Sequence, residues 1–186
     1  MSPPSHPPSS SLIPPQLLMS PGFHSPALTD ALIAALAVHQ PALPVPLRVS
    51  DFLARYPDPV VAPPIGILAF SAGVVASVPL LWRWQQAGGQ VAGLIALDGW
   101  GVPLLGDYPI YRLSHDRFTH RSSLPLGSGP LNFYADPSVP HLVLWQSPQT
   151  VQGWQVEQRN GQYRVSEATA IAFIGVAWAD MTGRPY

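Results

Sequence analysis

The segment IGILAF, Ile65–Phe70, is a nearly unbroken apolar run, and it constrains the fold more than any other part of the chain. Such a run is typical of a strand buried on both faces, as in a parallel sheet covered by helices. Val91–Leu97 and the segment HLVLW at residues 141–145 have the same character, and we interpret both as buried strands. With a helix expected over residues 72–87, this order predicts an α/β fold with right-handed crossovers.

The segments before this core have less regular sequence patterns. We expect a strand at residues 17–19, a helix over residues 26–39 that Ser25 caps and Pro26 begins, and an edge strand at residues 45–49. The helix over residues 72–87 is expected to end at two glycines and to bury a stripe of apolar side chains. The residues expected on that stripe are Val74, Val78, Leu81 and Trp82.

The C-terminal part changes character. Asn160-Gly161 lies between two alternating segments, which predicts a hairpin with a two-residue turn. Ser166 is the expected cap of a last helix that ends near Met181. The sequence thus predicts a three-layer α/β sandwich with a mostly parallel sheet of about five strands, followed by a hairpin and a helix.

Composition limits the chemistry and the partners. The 186 residues are 47% hydrophobic, which is enough for one core, so we expect a single domain over residues 17–186 after a Pro-rich, disordered or extended tail over residues 1–16. A formal net charge of −1 argues against a nucleic-acid partner. Lysine and cysteine are absent, which excludes Schiff-base and thiolate chemistry, disulfides and cysteine-based metal sites.

The N-terminal sequence MSPPSHPPSSSLIPP lacks the basic and apolar regions of a secretory signal. The longest apolar run, residues 168–179, is about half of the roughly 20 residues that a membrane-spanning helix needs. We therefore expect no transmembrane segment and a cytoplasmic location.

Ser71 follows the Ile65–Phe70 run in the segment AFSAG. A strand, then small-x-Ser-x-Gly, then a helix is the pattern of a nucleophile elbow, in which a strained turn exposes the serine hydroxyl above the sheet. Gly73 suits it because strand and helix backbones pass closely there, and Ala69 stands where the pattern has its first glycine. The alternative interpretation is an ordinary helix cap at Ser71.

The longer segment AFSAGVVASVPLLWRWQQAGGQVAGLIALDGW resembles the α/β-hydrolase superfamily, and within it the thioesterase branch. Asp98 follows Ser71 by 27 residues, at the end of the next strand. The resemblance implies a reduced α/β-hydrolase-like domain in which Asp98 orients a catalytic histidine; alternatively, Asp98 caps the following loop. The segments DGWGVPL and RLSHD also resemble small, uncharacterised cyanobacterial proteins, which implies no particular activity.

The resemblance also implies an oxyanion hole of two backbone amides, one from Ala72 and one from Phe23 or His24 in the loop after the first strand. Amide donors are fixed before charge develops on a substrate oxygen, so they suit this role. The alternative is that PGFHSP is only a turn before a helix.

The catalytic histidine is harder to assign. The family places it after the last strand, but no histidine follows His141, which we interpret as the first residue of a strand and therefore at the opposite edge of the sheet. We therefore favour His115 as the base, with His120 second and His24 third. For each of them the alternative is an ordinary surface histidine; a metal site of His115, Asp116 and His120 has weak support, and we expect no metal.

Two functions are consistent with these residues. The first is a serine hydrolase or acyl-transfer enzyme that needs no cofactor and acts on an ester or thioester, including one with an acyl chain. In it Ser71 attacks, His115 moves the proton and Asp98 orients the imidazole, and the apolar loop 99–111 lines an acyl pocket. The second is a non-catalytic protein that keeps the fold and binds a protein partner or a lipid.

Overall fold

The computed structural model describes residues 13–159 and 161–183, which form a mixed α/β structure. The strands in these residues are β1 Gln16–Ser20, β2 Leu47–Arg48, β3 Ile65–Phe70, β4 Val91–Leu97, β5 Ile110–Ser114, β6 Leu131–Ala135, β7 Gln152–Arg159 and β8 Gln162–Thr169. The α-helices are α1 Pro26–His39, α2 Val49–Arg55, α3 Ala72–Gln86, α4 Arg117–Ser123, α5 His141–Gln146 and α6 Ala170–Thr182. Short 3-10 helices lie at Leu124–Leu126 and Pro148–Thr150.

All eight described strands belong to one sheet in the order β2-β1-β3-β4-β5-β6-β7-β8. The first six are parallel to one another, and β7 and β8 complete the sheet as a hairpin whose first strand is antiparallel to β6. In register, Ala69 lies beside both Ser20 and Ala96, and Phe70 beside Leu97. The carboxyl ends of the parallel strands therefore meet at one edge of the sheet, where loops collect functional side chains.

Helices cover both faces of the sheet because alternate strand residues are apolar on each side. On one face Leu68, Phe70 and Ile95 belong to a core cluster with side chains of α1, α5 and α6. On the other face Ile67, Ala69 and neighbouring residues pack with side chains of α2 and α3. The fully apolar β3 is buried along its whole length, as the sequence predicted.

The sheet has more strands than the five expected. Residues 110–114 form the buried strand β5, which begins inside the loop expected over residues 99–111, and residues 131–135 form β6. Each contains a polar residue within an alternating pattern, so neither resembles the continuous apolar runs of β3 and β4.

The prediction of a strand at HLVLW is wrong, because these residues form most of α5. Pro140 precedes the helix, and the buried Leu144 and Trp145 lie on its inner side. A short apolar run does not distinguish a buried strand from one and a half turns of helix, which is why the pattern misled the interpretation.

Several boundaries also differ from expectation. Ser166 lies within β8, which pairs with β7 as far as Thr169, and Thr169 caps α6 by accepting a hydrogen bond from the Ala172 amide. In α3 the buried tryptophan is Trp84 rather than Trp82, since Trp84 continues the stripe through Leu81.

In the N-terminal half, the edge strand is shorter than expected, and α2 begins at Val49. Of the predicted tail, residues 1–12 lie outside the described residues, and Gln16 already begins β1. Among the described helices, none combines the length and hydropathy needed to cross a bilayer.

Candidate functional site

Ser71 occupies a strained turn between β3 and α3. Its backbone has φ 52° and ψ −118°, and Asp98, directly after β4, has φ 48°. These two are the only non-glycine residues with positive φ in the part of the chain that the structure describes. Such conformations cost about 1–3 kcal/mol each and concentrate at functional sites. Both strained residues lie at the same edge of the sheet, on adjacent strands.

The turn at Ser71 is packed tightly against the end of β1. A Cβ on Gly73 would collide with the backbone carbonyl of Ser20, and the Ser20 hydroxyl donates to the Gly73 carbonyl at 3.0 Å. A Cβ on Gly22 would lie 3.1 Å from the Cβ of Ser71. The loop after β1 therefore lies directly beside Ser71.

Asp98 is the centre of a polar network at this edge. Its Oδ1 accepts the backbone N–H of His115 at 2.8 Å, and its Oδ2 lies 2.7 Å from Nδ1 of His141 and 2.9 Å from Nδ1 of His115. Burial by itself raises the pKa of Asp98, but the hydrogen bonds from His115 and His141 outweigh it, so the pKa is lowered. The carboxylate is held ionised between two imidazoles.

The two imidazoles are bound differently. Nδ1 of His141 forms a well-aligned hydrogen bond with Asp98, whereas Nδ1 of His115 is close to the same oxygen but makes no aligned hydrogen bond. Nε2 of His115 lies 3.1 Å from Oδ2 of Asp116. The contact with Asp98 raises the pKa of His115 against the effect of burial, and the charges of Asp98 and Asp116 add to the rise. Both ring nitrogens of His115 therefore face carboxylates.

His141 lies at the functional edge, contrary to our expectation. It is the first residue of α5, which follows β6, the last parallel strand, and its ring stacks on Phe70 at 4.5 Å between centroids. The backbone N–H of Val139 donates to the His115 carbonyl at 3.0 Å and holds the connecting segment against the site. Sequence reasoning missed His141 because HLVLW was interpreted as a strand; Pro140 directly before it is the signal that indicates a helix start.

A cavity of about 340 Å³ lies over these groups. Its lining residues are Ser71, Asp98, Trp100, His115, Thr119 and His141. The structure thus brings together three residues that the sequence singled out, Ser71, Asp98 and His115, and adds His141. No hydrogen bond from the Ser71 hydroxyl is formed within the described residues. In apo active sites such contacts are often long and tighten only with substrate.

The residues proposed for the oxyanion hole lie beside Ser71 rather than in the cavity lining, since Ala72 follows it in the chain and Phe23 and His24 belong to the loop after β1. The side chain of Phe23 is 97% exposed, and Ala72 is the first residue of α3. The amides of Phe23, His24 and Ala72 make no hydrogen bond to the described part of the chain. The His24 ring lies 5.8 Å from Phe70 and its Nδ1 lies 2.9 Å from the Ser25 carbonyl. Free amides are therefore available beside Ser71.

The other candidate base, His120, lies away from the cavity lining. It is 4% exposed and its ring packs at 5.1 Å on Tyr134. Burial, with the charges of Arg121 and Arg112, lowers the pKa of His120 to about 4. It is a buried neutral histidine on the inner side of α4 rather than a group that lines the cavity.

Arg112 supports the loop that follows β4. It is 2% exposed, and its guanidinium donates to backbone carbonyls in two segments, residues 99–102 and 126–127. The acceptors are the carbonyl groups of Gly99, Val102, Leu126 and Gly127. This buried cation, bonded to four carbonyls, holds the loop that carries Trp100 into the cavity.

One set of side chains in the described residues has the spacing of a metal site. One ligand atom from each of Asp98, His115 and His141 lies within 4.8 Å of the others. The set considered from the sequence, His115, Asp116 and His120, is not brought together, because His120 faces Tyr134.

No protein-family model, no curated protein and no solved structure matches the chain. The resemblance to α/β-hydrolases therefore depends on the residues of this chain alone.

Proposed function

We propose that the chain is a serine hydrolase of the thioesterase-like branch of the α/β-hydrolases, acting on an ester or thioester. Ser71 is the nucleophile, His141 the general base and Asp98 the carboxylate that orients it. The observation that carries the proposal is the 2.7 Å hydrogen bond between Asp98 and His141 in the cavity that Ser71 lines. The chain order Ser, Asp, His is that of α/β-hydrolases.

The backbone at Ser71 supports its role as the nucleophile. A positive φ at a serine between β3 and α3 is the conformation expected of a nucleophile elbow, and it is maintained by the close packing of Gly73 on Ser20. The same strain is unnecessary for a simple helix cap, and the Ser71 side chain makes no capping hydrogen bond. This favours catalysis over the cap interpretation.

His141 suits the role of base better than His115, which we favoured from the sequence. With Nδ1 of His141 bonded to Asp98, its Nε2 remains free of hydrogen bonds to described residues and can accept a proton. In His115 both nitrogens face carboxylates, so neither is free for Ser71. The stack of His141 on Phe70 holds its ring next to the residue that precedes Ser71.

The reaction then follows from these positions. The Ser71 oxygen attacks the substrate carbonyl while its proton passes to Nε2 of His141, and Asp98 stabilises the imidazolium. The amides of Ala72 and of Phe23 or His24 donate to the oxyanion. Collapse transfers the His141 proton to the departing alcohol or thiol and leaves an acyl-Ser71 ester. Water, deprotonated by His141, hydrolyses that ester and restores the serine.

A fluorophosphonate probe tests the proposal, since only an activated serine is labelled. We expect stoichiometric labelling of the wild-type chain and none of Ser71→Ala, with Ser25→Ala, an exposed serine in the adjacent loop, labelled like the wild type. Hydrolysis of p-nitrophenyl and thioester substrates of increasing acyl length is expected to follow the labelling. Labelling that persists in Ser71→Ala would show that the nucleophile is another residue. No labelling of the wild type would instead favour a non-catalytic protein that binds a partner or lipid.

A further inference from the structure

The site holds one more imidazole than a serine triad uses. Asp98 Oδ2 is approached by two Nδ1 atoms, at 2.7 Å from His141 and at 2.9 Å from His115. Nδ1 of His115 is buried, yet it has no aligned hydrogen bond. A buried nitrogen in this state is costly unless another partner satisfies it. The second imidazole therefore needs an explanation of its own.

We propose that Asp98, His115 and His141 form a binding site for a divalent transition cation of the zinc class, and that the bound cation blocks the serine chemistry. Two imidazoles and one carboxylate are a ligand set typical of zinc, with a further position left open. All three ligand residues line the cavity that Ser71 also lines. The blocking effect, unlike the binding itself, depends on the proposed hydrolase function.

The spacing of the ligand atoms is close to that of a zinc site. The three ligand atoms come from the ends of β4 and β5 and the start of α5, and they lie within 4.8 Å of one another. Ligand atoms around a tetrahedral zinc ion, each about 2 Å from the metal, are roughly 3.3 Å apart. The oxygen–nitrogen distances of 2.7 and 2.9 Å thus have to widen by a few tenths of an ångström.

Asp116 supplies a second observation that points to a metal ligand. Its Oδ2 lies 3.1 Å from Nε2 of His115. Metal-binding histidines usually donate the N–H of the other ring nitrogen to a carboxylate, which fixes the tautomer and orients the ring. With Nε2–H of His115 donated to Asp116, its Nδ1 lone pair faces Asp98 and is available to a cation.

The tautomer of His141 explains how the bound cation blocks the serine chemistry. To bind a cation through Nδ1, neutral His141 must shift its proton from Nδ1 to Nε2, with no net loss of protons. The protonated Nε2 then has no lone pair with which to accept the Ser71 proton. The cation also takes the Asp98 oxygen that orients the imidazole, so removal of the cation with a chelator restores activity.

Two titrations of the full chain test the site. Calorimetry detects the binding of Zn²⁺, and visible absorption detects the binding of Co²⁺. We expect one equivalent bound, at least a 30-fold weaker dissociation constant in His115→Gln, and about a 10-fold weaker one in Asp116→Asn. His39→Gln, an exposed histidine at the end of α1, is the control and is expected to bind like the wild type. Circular dichroism verifies that each variant is folded.

The outcomes separate the two proposals. The metal site is overturned if there is no saturable binding of the metal below about 1 mM. It is also overturned if His115→Gln, Asp116→Asn and the wild type all bind the metal with equal affinity. Both conclusions hold whatever the enzyme activity. Stoichiometric binding with no loss of fluorophosphonate labelling in an active enzyme overturns the block. Binding in a chain whose Ser71 is never labelled supports the site while the hydrolase proposal fails.

Discussion

The imidazole of His141 stacks on the phenyl ring of Phe70, with centroids 4.5 Å apart and planes inclined by 26°. Phe70 also stacks on Trp145, at 5.2 Å, so two rings of α5 pack on the residue before Ser71. These ring contacts define where the imidazole lies relative to the turn, while the bond to Asp98 engages Nδ1 and leaves Nε2 as the other nitrogen.

Phe70→Leu is expected to lower kcat/KM by about 10-fold, because a branched side chain offers no flat surface for the imidazole and misplaced catalytic groups lose rate steeply. Phe133→Leu is the matched control: Phe133 is an equally buried phenylalanine on β6 that contacts Phe173 instead of the site. Steady-state kinetics on a p-nitrophenyl ester measure both variants. An equal loss in the two would show that the effect is only one of packing.

The two imidazoles at Asp98 are expected to differ in their effect on catalysis. His141→Ala removes the proposed base and is expected to reduce kcat by about 10³-fold. His115→Ala removes a contact with Asp98 but leaves the base, so we expect a loss nearer 10-fold. Both values are measured as the rate constant for ester hydrolysis through the acyl-Ser71 intermediate. A larger loss in His115→Ala would return the role of base to His115.

Gly73→Ala is expected to destabilise the fold by about 1–3 kcal/mol, because the added Cβ collides with the Ser20 carbonyl and overpacking of this kind is costly. Ala76→Ser adds one atom to an exposed position on the same helix and is expected to change stability by less than about 0.5 kcal/mol. Urea unfolding measures both free energies. If Gly73→Ala unfolds at the wild-type midpoint, the close approach of β1 and α3 is not required.

His120 is expected to make the fold sensitive to acid. Its pKa is lowered to about 4 by burial, whereas an unfolded histidine has a pKa near 6.5, so the unfolded chain binds the proton first as pH falls. Neutral His120 therefore makes its full contribution to the free energy of unfolding above pH 6.5. This contribution, about 3 kcal/mol at most, is lost as the pH falls from 6.5 to 4.

Urea unfolding between pH 4.5 and 8 measures this contribution. His120→Gln is expected to flatten the pH dependence over that range, and His39→Gln, which alters an exposed histidine, is expected to retain it. The same slope in the wild type and in His120→Gln would contradict the assignment of the acid sensitivity to this residue.

Local signals in the sequence were enough to predict β3, α3 and β4 and the turn at Ser71. Continuous apolar runs, small residues at the turn and paired glycines act over a few neighbours, so they can be interpreted without knowledge of the fold. The hairpin over β7 and β8 was likewise predicted by alternation around Asn160-Gly161, where Gly161 has a φ of 74°. Polar residues within β5 and β6 concealed those strands.

The sequence by itself therefore determined the α/β class, the strand that carries Ser71, and Asp98 as the acidic residue after the next strand. Only the tertiary structure decided which histidine joins them. His141 reaches Asp98 because β6 is parallel to β5, and β5 to β4, so the ends of three strands far apart in the chain lie side by side. Asp98 and His141 are 43 residues apart in the sequence, and their proximity depends on two successive strand pairings, which no local pattern of residues encodes.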